Sequence, residues 1–200
     1  MEELRTKNTF HEIKNQISVC ELYTEVIKRT LEKEGIKNEV LTRAIKNIKN
    51  SLGLIAQSAT SLRETKITEY NLSDIVENVF EICKSYKEIS FINKIKHSET
   101  INADKNKLTS ALVNIVKNAI EANATEVKIS YNNSTITIEN DGDKIPEEIQ
   151  KKIFSDGFTT KETGSGLGLM LTQSMLKEQN FTITLNISND SVTIFNINHQ

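Results

Sequence analysis

Residues 104–139 read DKNKLTSALVNIVKNAIEANATEVKISYNNSTITIE, and this stretch decides the fold. Asp104 stands where a helix N-cap belongs, because its carboxylate can accept from the unpaired N–H groups of a first turn. Leu108, Leu112, Ile115, Val116, Ala119 and Ile120 follow at the spacing of one helical face. The period then changes. Residues 126–131 and 135–139 alternate apolar and polar, as half-buried strands do, and Asn132-Asn133 between them suits a hairpin turn. Helices in one layer over strands in another make a two-layer α/β sandwich.

The flanking sequence extends this pattern. Residues 167–177 read as a further helix, and 181–187 with 191–197 as a second hairpin around Asn189-Asp190. Upstream, Ile89 to Ile95 reads as a short strand. Ser73 is placed to cap a helix carrying Ile75, Val76, Val79, Phe80 and Cys83. The polar stretch 63–71 reads as a linker, which divides the chain into residues 1–66 and 67–200.

The first part is helical. Phe10, Ile13, Ile17, Cys20, Thr24, Ile27 and Leu31 alternate three and four apart, and so do Leu41, Ile45, Ile48, Leu52, Ile55, Ala59 and Leu62. Each set draws a coiled-coil stripe. Residues 34–38 break the pattern, with Gly35 suited to a helix C-terminus. A hairpin of this length has little core of its own, and Val19, Leu22 and Val26 add a second apolar strip. Pairing of two hairpins into a dimeric four-helix bundle buries both, and packing on the rest of the same chain is the alternative.

Composition removes several function classes. The 200 residues carry 25 Lys+Arg against 27 Asp+Glu with no basic block, so no nucleic-acid partner is expected. No apolar run is long enough to span a bilayer, and the N-terminal residues lack the apolar core of a secretory leader. Cys20 and Cys83 are too few for a disulfide framework and point to a reducing, cytoplasmic setting.

Four motifs carry chemistry. His11, in FHEIKN, falls on the flank of the first stripe, with Asn15 one turn later on the same face and Glu12 beside it. An unprotonated imidazole is a nucleophile, and a neighbouring carboxylate can take its ring proton. Asn114 and Asn118 share a helix face with Lys117 beside them; carboxamide oxygens suit Mg²⁺, and an ammonium suits phosphate. Asn140, at a strand end before Asp141-Gly142, can hydrogen-bond an adenine edge, and Ile145 can pack on the ring. Five of the seven glycines, and the sole proline, lie within 142–168. Of these, Gly164, Gly166 and Gly168 lead into a helix whose N–H groups attract phosphate, with Thr159, Thr160 and Lys161 ahead of them.

Taken together, in this order, the motifs resemble the histidine protein kinases of two-component signalling, over essentially the whole chain. HEIKN resembles the phosphoacceptor box and ALVNIVKNAIEA the asparagine box. IENDGDKIPEE resembles the first glycine box, KIFSDGFTTK the phenylalanine box, and GSGLGL the second glycine box. The resemblance implies a dimerisation and phosphotransfer hairpin followed by an ATP-binding domain of the Bergerat type, using ATP and Mg²⁺. The γ-phosphoryl group would pass to His11 and then to a response-regulator aspartate. It further implies Glu12 as general base, Asn15 in dephosphorylating the partner, and Asn118 as Mg²⁺ ligand. The implied nucleotide site is Asn114, Lys117, Asn118, Asn140, Gly142, Ile145, Thr160, Lys161, Gly164, Gly166, Leu167 and Gly168. Two departures stand out: Asn140 where the family has Asp, and Lys144 where it has the box's second glycine. They leave a second reading, a phosphorelay protein with a degenerate ATPase domain, phosphorylated by another kinase or regulator. With ten residues ahead of His11, the chain reads as a stand-alone cytosolic kinase or as a piece of a longer one.

Overall fold

A computed structural model describes residues 2–160 and 166–199; the side chains of residues 2–12, 14, 46 and 50 lie outside the description. The chain forms two compact units, Met1–Arg63 and Glu64–Gln200.

The first unit is two helices, α1 (Glu2–Lys33) and α2 (Glu39–Leu62). Gly35, at φ +65°, lets the chain turn out of α1, and the Ile36 N–H returns to the Leu31 carbonyl at 2.9 Å. Asn38 caps α2, its side chain accepting from Leu41 N at 3.0 Å. Lys49 of α2 reaches the Glu25 carboxylate of α1 at 2.7 Å, and with Arg29 this holds Glu25 down to about 2.

The two stripes split into rows seven residues apart. Ile17 (7% exposed) and Thr24 on α1, with Ile45 (8%) and Leu52 on α2, are buried. The other row of each stripe stays open: Ile13, Cys20 and Ile27 (47%) on α1, and Leu41, Ile48 (46%) and Ile55 on α2. Val19, Leu22 and Val26 are exposed as well. No helix among the described residues is long and apolar enough to cross a membrane.

The second unit is the two-layer α/β sandwich. Its five-stranded sheet has the order β2-β4-β5-β7-β6: β2 (Ser90–Asn93), β4 (Glu126–Asn132), β5 (Thr135–Asn140), β7 (Thr193–His199) and β6 (Phe181–Ser188). Only the β2–β4 pair is parallel. Helices α3 (Leu72–Lys84), α4 (Lys105–Glu121) and α6 (Gly168–Lys177) supply the other layer, and α5 (Glu147–Gln150) is one turn. The inward residues of the strands, among them Val127, Ile129, Ile136, Ile138 and Ile197, meet Val76 and Val79 of α3 and Leu108, Leu112 and Ile115 of α4 in one core. Each such side chain contributes about 1.5–3 kcal/mol by leaving water.

Several details correct the sequence reading. Residues 63–71 are not all linker: β1 (Thr68–Asn71) pairs antiparallel with β3 (Thr100–Ala103). Both strands have four residues, too few to show a period. Ser73 does not cap α3. Asn71 does, accepting from Asp74 N at 3.1 Å, while buried Ser73 receives the Asn93 amide at 3.0 Å. The first hairpin turns at Asn133-Ser134, not Asn132-Asn133; φ values of 48° and 60° match the primed turn that strand twist favours. His199, exposed at the end of β7, sets its ring edge-on to Phe181 at 5.0 Å.

Candidate nucleotide site

The site residues lie on three pieces of the second unit. Helix α4 presents Asn114, Lys117 and Asn118. The end of β5 and its following loop present Asn140, Gly142 and Ile145. The start of α6 presents Gly166, Leu167 and Gly168.

Asn140 is 5% exposed, and its carboxamide is fixed at both ends. Nδ2 donates to the Thr193 carbonyl at 3.2 Å, and Oδ1 accepts from Gly142 N at 3.1 Å. One end faces a carbonyl and the other an N–H, a pairing that a carboxamide satisfies and an ionised carboxylate does not. The departure at this position therefore matches its surroundings.

Gly142 lies against the end of α4, where a Cβ would stand 2.8 Å from the Ala122 carbonyl oxygen. Asp143 N donates to that same oxygen. Ile145 N donates to Ser188 Oγ at 2.8 Å, and Gln150 donates to the Ile145 carbonyl at 2.9 Å. The other departure, Lys144, neither crowds the loop nor meets a site group: its ammonium pairs with Asp190 at 2.7 Å.

Asp141 anchors the loop from the other side. Its Oδ1 accepts from Thr125 N and Glu126 N, both at 2.8 Å, and Oδ2 accepts from the Thr125 hydroxyl. Burial opposes its ionisation, but the hydrogen bonds from Thr125 and Glu126 outweigh it and hold the carboxyl below its usual range. Such stabilisation is present above the unfolded pKa and fades as pH falls through the lower folded one. Asp141→Asn is expected to cost about 1 kcal/mol at pH 7. Urea melts should show the gap closing in acid, and a gap constant with pH overturns this account.

Helix α4 carries three of the residues expected to act together. Asn114 is buried and committed to packing: Nδ2 donates to Thr172 Oγ1 at 3.0 Å, and a Cβ on Gly168 would stand 2.9 Å from Oδ1. It ties α4 to α6. The four-residue spacing of Thr172 from Gly168 puts both on the same helix face. Lys117, another of the expected site residues on α4, is partly buried. Its ammonium lies over the Tyr86 ring at 5.1 Å and 4.0 Å from Glu121. Nearby Cys83 is fully buried, which pushes its thiol up to about 12 against the pull of Lys117. Asn118, one turn beyond Asn114, is half-buried.

At the start of α6, no side chain among the described residues caps the first turn, and N–H groups at such a helix start suit an anion. Gly166, at φ +70°, packs on the Gly157-Phe158 backbone. Thr160 is exposed. Lys161 and Gly164 lie outside the described residues. On α1, Asn15 is exposed, while the side chains of His11 and Glu12 lie outside the description.

Known proteins share this arrangement. Residues 103–199 match the family described as histidine kinase-, DNA gyrase B- and HSP90-like ATPases. The solved catalytic domain of histidine kinase ThkA, nucleotide-free, is 31% identical, with a TM-score of 0.57 over 67% of this chain and 98% of that one. The chain belongs to the histidine kinase family. The kinase core it carries is also 29% identical over 180 residues to the signal transduction histidine-protein kinase AtoS of Escherichia coli, covering 83% of this chain. ThkA in complex with the response regulator TrrA is 26% identical, with a TM-score of 0.59 over 98% of this chain and 61% of that one. This kinase core spans only 29% of the length of AtoS.

Proposed function

We propose that this chain is an ATP-dependent histidine autokinase that phosphorylates His11 and passes the phosphoryl group to a response-regulator aspartate. The observation that carries the reading is the grouping, on one α/β unit, of a gripped Asn140-Gly142 loop, Asn118 and the glycine start of α6. These supply an adenine-edge partner, a hard oxygen donor and a phosphate seat. In the transfer, a ring nitrogen of His11 attacks the γ-phosphorus, the bond to the bridging oxygen breaks, and ADP leaves. Glu12 takes the proton from the other ring nitrogen. The site's own residues contribute mainly positioning and charge stabilisation.

The donor set fits Mg²⁺ carried in on the nucleotide. No metal-holding cluster of His, Cys, Asp or Glu exists among the described residues, and Asn118 offers one amide oxygen to an ion otherwise held by phosphates and water. When bound, the ion neutralises charge on the phosphate oxygens. Asn118→Ala is expected to slow labelling by at least about ten-fold. Labelling at the parent rate overturns the metal assignment.

The reading is tested by incubating the protein with radiolabelled Mg²⁺-ATP. Acid-labile, alkali-stable label supports it, and absence of label on folded protein refutes it. The relay alternative is not favoured, since AtoS and ThkA carry kinase names. An aspartate partner is supported by ThkA having been solved with a response regulator, and exposed Asn15 is the residue we assign to dephosphorylating that partner. We place the protein in the cytoplasm, where Cys20 and Cys83 stay free.

A dimer through the helices is part of the proposal. In each stripe one row is buried and one is open, and a four-helix bundle buries both. Sedimentation should return twice the 22.6 kDa chain mass. Ile48→Lys, in an open row, should return the monomer without unfolding the second unit; a monomeric parent overturns the bundle.

A further inference from the structure

Lys107 is fully buried, which is unusual for a lysine, and nothing in the site described above uses it. A buried ammonium persists only where partners take its charge and its protons. Here Nζ donates to Thr65 Oγ1 at 2.8 Å and to the Glu178 carboxylate. The Thr65 hydroxyl in turn donates to that carboxylate at 3.1 Å.

The next residue is held by a second set of bonds. Lys66 N donates to Asp104 Oδ2 at 2.9 Å, while Asp104 Oδ1 caps α4 through Asn106 N and Lys107 N. Asp104 N donates to the Gln179 side chain, which is itself tied to the Met175 carbonyl. Thr65 and Lys66 are thus clasped to the first turn of α4 and to the residues just beyond α6. These are the two helices that carry Asn118 and Gly168.

We infer that Lys107 is a positioning residue for phosphoryl transfer: by holding Thr65 beside the Lys66 that Asp104 holds, it keeps this two-residue clasp closed and so sets the length of chain that joins α2 to the nucleotide-binding unit. The inference rests on the autokinase reading. Helix α2 ends at Leu62, so with the clasp closed only Arg63 and Glu64 separate the last helical residue from the first clasped one. With the clasp open, the joining segment runs from Arg63 to Ile67, because β1 begins at Thr68. The three added residues lengthen the reach by about 10 Å. Effective concentration falls roughly as the −3/2 power of tether length, so going from two residues to five dilutes the nucleotide about His11 by about four-fold. Lost orientation adds to this. The clasp touches no nucleotide residue, so affinity stays the same while turnover falls.

The test compares Thr65→Val, Thr65→Ser and Lys107→Met in the full chain. Thr65→Val keeps the shape and removes the hydroxyl, and Thr65→Ser keeps the hydroxyl. Lys107→Met removes the cation and leaves Glu178, partly exposed, to water. Three quantities are read: hydrogen exchange of the Lys66 amide, nucleotide affinity, and kcat and KM for acid-labile labelling. In Thr65→Val and Lys107→Met, exchange at Lys66 should quicken about ten-fold or more. In the same variants, kcat should fall at least about four-fold with KM and affinity unchanged. Thr65→Ser should match the parent. Unchanged exchange in Thr65→Val overturns the clasp, and faster exchange with unchanged kcat overturns the positioning role. A parent that takes no label overturns the autokinase reading and the kinetic half with it, while the exchange comparison still decides the clasp.

Discussion

Replacing His11 with glutamine is expected to abolish acid-labile labelling, to below about a thousandth of the parent rate, while nucleotide affinity stays within about two-fold. Glutamine is a good helix former of similar reach, so α1 keeps its backbone; what it lacks is a nucleophilic ring nitrogen. Affinity is spared because His11 belongs to Met1–Arg63, whereas every residue proposed to hold the nucleotide belongs to Glu64–Gln200, which has its own core. Labelling and nucleotide titration on the same preparation check both halves. Persistent label would move the phosphoacceptor to His97 or His199, the other histidines of the chain. A joint loss of label and affinity would mean that the two units do not act separately.

Gly166→Ala is expected to be nearly as damaging, by a different route. A Cβ there would stand 2.2 Å from the Gly157 carbonyl carbon, 2.3 Å from its oxygen and 2.6 Å from Phe158 N. All three are backbone atoms and cannot rotate away. The φ of +70° adds the ordinary left-handed penalty of about 1 kcal/mol. With overpacking of about 1–3 kcal/mol, the total is about 2–4 kcal/mol. Because α6 begins two residues later, relief of the clash shifts its first turn, and nucleotide affinity falls with stability. Gly157→Ala is the internal control. Its φ is +69°, but a Cβ there would meet nothing within 4 Å, so strain acts alone at about 1 kcal/mol. Unfolding curves for the pair separate strain from clash; equal losses would refute the close contact.

Elements with long, regular periods were readable: α4, β4, β5 and the two helices of the first unit all declared themselves through apolar spacing. Asp104 was readable as a cap because capping is local chemistry. The four-residue strands β1 and β3 were not, since their pairing joins residues about thirty apart and carries a single apolar pair, Tyr70 with Ile101. The site motifs were visible as residue types, but their directions were not. Asn114 and Asn118 share a helix face, yet Asn114 turns to Thr172, a partner 58 residues away. Lys107 gave no signal at all, because a lysine in a helical pattern reads as solvated surface until the fold brings Glu178 and Thr65 around it.

The strand order bears on how the molecule is made. β7, the last strand of this sheet in sequence order, lies between β5 and β6. A ribosome that has released everything through β6 still holds the strand that must separate these two. Until it emerges, β5 keeps an open edge and β6 has no place in the sheet. The nucleotide-binding unit therefore closes after translation has passed it, not while it is being translated. A premature stop ahead of Thr193 would leave an uncharged strand, Phe181–Ser188, with nothing to pair with and a clear invitation to the chaperones.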